Sequence, residues 1–155
     1  MNREVHYEFT RSWAIDAGFS EEEAVSIAAA DWDVDRIHDV HVWRNKGYHF
    51  AWLGAYRKAR TLLAQAVERG DLVALGEALH CAQDAISHGF WGHVWHWKGI
   101  DRWGQRGAGV QRRIEQRSRE MLEVYRSSLE LSAKQRHSVT IGAECGGSGE
   151  PDTHS

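Results

Sequence analysis

Helix-capping signals are the feature of this sequence that most constrains its fold. Ser20 is followed three residues later by Glu23, which is the spacing of a capping box at the start of a helix. Gly18 ends the helical pattern before it, and Gly70 and Asp71 end one further helix and cap the next. These signals predict five helices, over residues 2–17, 20–34, 48–69, 71–87 and 110–135.

The composition fits a single all-α domain. The chain has 155 residues, of which 42% are hydrophobic and 26% are charged, a balance typical of a globular protein with one core. It has one proline and no long alternating runs of Val, Ile and Thr, which argues against an all-β fold. We therefore predict a five-helix domain over residues 1–139, followed by a disordered, glycine-rich tail over residues 140–155.

Charge and hydropathy exclude several classes of partner. The net charge of −3 gives no basic surface for duplex nucleic acid. No apolar stretch reaches the roughly 20 residues that cross a bilayer, and the first residues lack the apolar core of a signal peptide. The sequence thus predicts a soluble protein with at most peripheral membrane contact, and it leaves the compartment open. Cys81 and Cys145 are predicted to be free thiols.

The fourth predicted helix carries the most informative pattern. His80, Asp84 and His88 are spaced four residues apart, so they share one face of a helix. This face is either an ordinary polar face in water or the wall of a cleft. Solvated helix faces usually carry Lys, Glu or Arg, but residues 78–88 contain none of them. This composition favours a cleft.

Histidine and aspartate at this spacing suit borderline cations such as zinc. The eight residues from His80 to His88 span about 12 Å of helix, which is too far for one ion to join them. The pattern therefore predicts two or more ions with Asp84 between them. Such an arrangement is typical of a hydrolytic cluster rather than of a closed structural site.

The remaining ligands must come from other parts of the chain. His6 has a largely apolar surround, in which a histidine is more often a core residue than a ligand. His49 also has apolar neighbours, which suggests burial. The segment 31–41 offers several Asp and His residues, most of which we expect at the surface, because so many carboxylates cannot be buried uncompensated. His93 and His96 lie in a tryptophan-rich loop.

Four stretches of the chain, taken in order, carry a combination of motifs. His6 precedes the AGFSEEEA stretch and an Asp-rich segment, and His49 follows Asp35 by fourteen residues. LHCAQDAISH forms an H-x3-D-x3-H helix, and SHGFWGH follows directly. In these features, over residue 6 to about residue 101, the chain resembles the zinc-dependent phospholipase C / S1-P1 nuclease superfamily.

The resemblance implies an all-helical fold around a buried cluster of two or three zinc ions. The ligands that it implies for one zinc are Asp35, His49, His80 and Asp84. It further implies that Asp84 bridges to a second ion, which His6 also holds. His88 and His93 would hold the third.

Such a cluster predicts a zinc-dependent phosphoester hydrolase. Bridging zinc ions lower the pKa of a bound water towards about 7, and Asp35 is the candidate general base for that water. The expected substrate is a phosphodiester in a phospholipid or a single-stranded nucleic acid. Four tryptophans in the loop at 89–109 could contact such a substrate, or they could simply pack to order the loop.

Two alternative functions remain. An HD-type metal-dependent phosphohydrolase is also all-helical, and His6, His38 with Asp39, and Asp84 could mimic its signature, although that leaves the other histidines unexplained. The second alternative is a non-enzymatic helical interaction domain that binds metal only for stability.

Overall fold

The computed structural model describes residues 3–38, 46–49, 52–88 and 103–144, and the regular structure in these ranges is helical. The α-helices are α1 (Thr10–Asp16), α2 (Glu21–Ile37), α3 (Lys46–His49), α4 (Trp52–Arg69), α5 (Leu72–His88) and α6 (Ala108–Glu144). A π-helical segment, Glu4–Phe9, leads into α1, and a 3-10 turn, Trp103–Gln105, precedes α6. The all-α prediction is confirmed for this part of the chain. None of its helices combines the length and the apolar character needed to cross a membrane.

The predicted capping signals act as the sequence indicates. The Ser20 side chain accepts a hydrogen bond from the Glu23 amide, and the Glu23 carboxylate accepts one from the Ser20 amide, which completes the capping box. Gly18 ends α1 with a φ of +86°, a conformation that a side chain would strain. Asp71 accepts hydrogen bonds from two amides in the first turn of α5.

The helix boundaries differ from the prediction most in the first, third and last helices, and α2 also runs three residues past the predicted end at residue 34. The first helix begins with the π-helical segment, in which His6 lies, rather than with regular α-helix. The predicted third helix is present as α3 and α4, with residues 50 and 51 outside the described part. The last helix continues past Gln135 because neither proline nor glycine interrupts residues 126–141, and it runs through Gly142 to Glu144. Residues 140–144 of the predicted tail are therefore helical, and residues 145–155 lie outside the described part.

Helix α5 is the central element of the fold and packs against α2, α3, α4 and α6. From residue 74 to residue 88 every residue is buried except Glu77 and Ile86. The interpretation of the His80, Asp84 and His88 row as a polar face in water is therefore wrong. Helix α5 is therefore enclosed by protein over most of this length, and it places the side chains of His80, Asp84 and His88 in the interior.

Helices α2 and α5 approach each other closely at Gly76. A Cβ atom at position 76 would lie 2.6 Å from the Ala30 Cβ and 2.9 Å from the Asp31 main-chain nitrogen, and closer still to the Ile27 carbonyl oxygen. Main-chain atoms cannot move aside unless the whole helix shifts. The glycine therefore sets the distance between α2 and α5 one turn before His80.

We expect the Gly76→Ala substitution to destabilise the protein by about 1–3 kcal/mol, because the added methyl group overpacks the contact between α2 and α5. Urea unfolding of chelator-treated protein, followed by circular dichroism, measures the effect. Gly109→Ala is the control, since a Cβ at that position in α6 meets nothing within 4 Å. The control should be neutral or stabilising by up to about 1 kcal/mol. Equal stability of the Gly76→Ala protein and the wild type would contradict the close packing.

Candidate metal centre

Four potential ligand atoms converge between α2, α3 and α5, and they are Asp35 Oδ1, His49 Nδ1, His80 Nε2 and Asp84 Oδ2. His80 Nε2 lies 3.2 Å from His49 Nδ1, and both of these nitrogens lie 3.5 Å from Asp84 Oδ2. Asp35 Oδ1 lies 3.5 Å from His49 Nδ1 and 3.6 Å from His80 Nε2. The four side chains are close enough together to hold one metal ion.

The second oxygen of Asp84 faces two more histidines. Asp84 Oδ1 lies 3.5 Å from His6 Nε2 and 3.6 Å from His88 Nε2. The two oxygens of this carboxylate thus point at two different sets of imidazole nitrogens. His6 Nε2 is buried and makes no hydrogen bond within the described part of the chain.

Three of these histidines donate a hydrogen bond through the ring nitrogen that faces away from Asp84. His49 Nε2 lies 2.6 Å from the His38 carbonyl oxygen, and His80 Nδ1 lies 2.9 Å from the Asp31 carbonyl oxygen. His6 Nδ1 lies 2.8 Å from Asp31 Oδ1. Because these oxygens can only accept, the outer nitrogen carries the proton, and in the neutral ring the inner nitrogen offers a lone pair.

The electrostatics of the cluster favour a positive charge at its centre. Burial alone would disfavour the charged form of Asp84, but opposing positive charges and hydrogen bonds, those of His80, His49 and His6 among them, hold its pKa well below the usual range. Burial likewise lowers the pKa of His80, but Asp84 and Asp31 outweigh that effect and raise it to about 10. Protons and metal ions compete for the same nitrogen, so this field also favours a bound cation.

Exposure differs among the four converging side chains. Those of His49, His80 and Asp84 are at most 2% exposed, whereas the side chain of Asp35 is 31% exposed. The cluster is therefore enclosed by protein on most sides and reaches solvent at Asp35.

The structure brings together six of the seven metal ligands proposed from the sequence, and these are His6, Asp35, His49, His80, Asp84 and His88. His93 lies outside the described residues, as do Asp39 and His96. The ring of His38 stacks on Tyr48 at 3.8 Å, with Nε2 4.0 Å from Glu77. His38 thus contributes its carbonyl oxygen, not its ring, to the cluster.

Asp31 is the residue that sequence reasoning missed. It is fully buried and contacts both His6 and His80, whereas the aspartates of its segment were expected mostly at the surface. Asp33 and Asp35 are only partly buried, as that expectation requires. The one available signal was position, because Asp31 lies four and seven residues after the buried Ile27 and Ala24 on the same helix face.

Comparison of the chain with protein-family models, with curated proteins and with solved structures finds no match in any of the three.

We expect the His80→Ala substitution to lower metal affinity by more than about 100-fold, because His80 contributes one of the four converging ligand atoms. Metal content after dialysis, measured by plasma mass spectrometry, checks this. His137→Ala, which alters a histidine near the end of α6, serves as the control and should retain the wild-type metal content. Equal metal content in the two variants would reject the role of His80.

Proposed function

We propose that the protein is a zinc-dependent phosphoester hydrolase whose metal ions share the Asp84 carboxylate. The observation that carries this proposal is the division of the Asp84 oxygens, one facing His49 and His80 and the other facing His6 and His88. A shared carboxylate between two sets of imidazole nitrogens is typical of sites that hold two ions a few ångströms apart.

The donor set around Asp84 Oδ2 fits zinc. Tetrahedral zinc has bonds of about 2.0–2.1 Å to nitrogen and oxygen, which places its ligand atoms about 3.3–3.4 Å apart. Five of the six separations among the four converging atoms lie between 3.2 and 3.6 Å. Two imidazoles and two carboxylates also match the borderline character of this cation. Asp35, His49, His80 and Asp84 would hold this ion.

The donors around Asp84 Oδ1 support a second ion with open positions. His6, Asp84 and His88 supply three ligand atoms, which is the usual protein contribution to a catalytic zinc site. The buried His6 Nε2 without a hydrogen bond supports this, because a buried polar atom is costly unless something binds it. The sequence resemblance implies one further ligand, His93, which with His88 would hold a third ion and which lies outside the described residues.

Hydrolysis would then depend on the metal ions and on Asp35, the partly exposed carboxylate of the cluster. When bound, zinc supplies an acidified water and stabilises the negative charge that develops on a phosphoryl group. Asp35, whose side chain is partly exposed, is our candidate for the base that takes a proton from the attacking water, through the carboxylate oxygen that does not hold the ion. The enclosing protein keeps bulk solvent away from the other carboxylates. A phosphodiester would yield a phosphomonoester and an alcohol.

The substrate is proposed to be a phospholipid or a single-stranded nucleic acid. The likeness of the H-x3-D-x3-H helix to those of phospholipases C and S1-P1 nucleases supports both. Vesicles of phosphatidylcholine and a single-stranded oligonucleotide, offered separately, distinguish the two.

A non-enzymatic, structural metal site is the second candidate. The four side chains around Asp84 Oδ2 would complete a tetrahedral shell by themselves, as in structural zinc sites. In that case one zinc binds per chain, chelation unfolds the helices, and no phosphoester is hydrolysed.

We expect the Asp84→Asn substitution to remove at least one zinc and to abolish hydrolysis of bis(p-nitrophenyl) phosphate, while the helical circular-dichroism signal persists. An amide offers one neutral acceptor oxygen where the carboxylate offers two anionic ones, so it cannot serve two ions. Zinc content and product release are measured on the same preparations.

The control for this experiment is Asp33→Asn, which makes the same chemical change at a partly exposed residue paired with Arg36. It should keep wild-type zinc content and activity, with a change in stability within about 0.5 kcal/mol. Unchanged zinc content in the Asp84→Asn protein would sink the bridging role. Two zinc ions without hydrolysis of any phosphodiester offered would reject the proposed activity.

A further inference from the structure

The side chain of Asp31 makes two hydrogen bonds in the interior, one through each oxygen. Oδ1 accepts from His6 Nδ1 at 2.8 Å, and Oδ2 accepts from the Thr10 hydroxyl at 2.7 Å. Both partners belong to the first helical segments, whereas Asp31 lies on α2. Both oxygens of the carboxylate therefore bind the N-terminal helical segments that carry His6 and Thr10.

The main chain of Asp31 serves a different partner. Its carbonyl oxygen accepts a hydrogen bond from His80 Nδ1 at 2.9 Å, across 49 residues of sequence. This bond forms because the glycine at position 76 lets α5 lie against α2 one turn earlier. The carboxylate oxygen Oδ1 is farther from His80 Nδ1, at 3.4 Å. One residue thus holds two histidines through two chemically different groups.

A buried polar network holds the Asp31 carboxylate in place. Gln83 donates to the Thr10 hydroxyl oxygen at 3.0 Å and to the Ser118 hydroxyl oxygen at 3.2 Å. Ser118 in turn donates to the Ile114 carbonyl oxygen at 2.9 Å. Thr10 therefore accepts a hydrogen bond from α5, and its own hydroxyl has two acceptors, Asp31 Oδ2 at 2.7 Å and the Val5 carbonyl oxygen at 3.1 Å, of which the carboxylate is the closer. The network ties the carboxylate to α5 and α6.

We propose that Asp31 is the shared positioning residue of the metal centre. Its carboxylate holds His6, and its carbonyl oxygen holds His80, each with the proton on Nδ1 and with Nε2 presented to Asp84. Hydrogen bonds of this kind to the outer nitrogen orient a ligating histidine and raise its basicity. The proposal rests on the proposed zinc site, and it assigns separate parts of Asp31 to the two sides of Asp84.

The carboxylate and the main-chain carbonyl of Asp31 hold different histidines. Replacing the carboxylate should therefore change zinc affinity unequally on the two sides of Asp84. Asparagine keeps the main-chain carbonyl, so the bond to His80 survives. Its side chain, however, loses the charge and replaces one acceptor oxygen with a donor nitrogen. The Asp31→Asn protein should therefore lose zinc affinity at the His6 side by about 10–100-fold and show a smaller loss at the His80 side.

The test is a zinc titration of folded, metal-free protein against a competing chelator, with cobalt(II) absorption as a readout of ligand geometry. Thr10→Val removes the hydroxyl donor to Oδ2 and should lower the His6-side affinity in the same direction, whereas Thr10→Ser keeps the donor and should restore it. These variants keep the carboxylate, so they test the role of Asp31 even where Asp31→Asn fails to fold. Asp33→Asn on the same helix is the matched control and should titrate as the wild type.

The outcomes separate this inference from the proposed function. A wild-type protein that binds no zinc overturns both. A wild-type protein that binds two zinc ions, with Asp31→Asn or Thr10→Val titrating identically, overturns the positioning role alone. Equal losses at both ions would also overturn it, because they would reflect lost charge rather than lost orientation. A lower melting temperature with unchanged zinc affinity and an unchanged cobalt spectrum would show a purely structural role.

Discussion

The buried carboxylate of Asp84 is the constraint on which the rest of the structure depends. A lone carboxylate at this depth costs several kcal/mol to remove from water, so it must be met by cations or by hydrogen-bond donors. The histidines that surround it at 3.5–3.6 Å come from three separate segments, and they are His6, His49, His80 and His88. Their convergence fixes how the π-helical segment and α3 pack against α5. The cluster of histidines around Asp84 and the apolar core therefore both determine how the helices pack.

Local signals in the sequence predicted the helices and much of the site. The capping box at Ser20 and the cap at Asp71 act within a few residues, so their physics can be read without knowing the fold. The four-residue spacing of His80, Asp84 and His88 likewise places them on one helix face before any tertiary contact is known. Motif resemblance added His6 and His49, which lie beside Asp84, and His93, which lies outside the described residues.

The features that the sequence did not predict depend on packing. Asp31 is one of several aspartates in a short segment, and it is buried because α5 and the segments that carry His6 and Thr10 pack around it. Glycine has a low helix propensity, so Gly76 is unfavourable for α5 when the sequence is considered alone. Its role in the close contact with α2 follows only from the tertiary structure. The π-helical segment that carries His6 has no sequence signature of its own, although such segments are frequent at functional sites.

The long sequence separations within the candidate metal centre determine the order in which its residues can come together. His6 and Asp31 are 25 residues apart, and Asp31 and His80 are 49 residues apart. In zinc fingers the ligands lie close together in the chain, so the metal can nucleate folding. Here the chain must first close large loops and dock α2 on α5, steps whose cost in chain entropy precedes any gain from the ion. A metal ion at these residues would therefore bind last, after the apolar bundle has formed and brought the ligand atoms together.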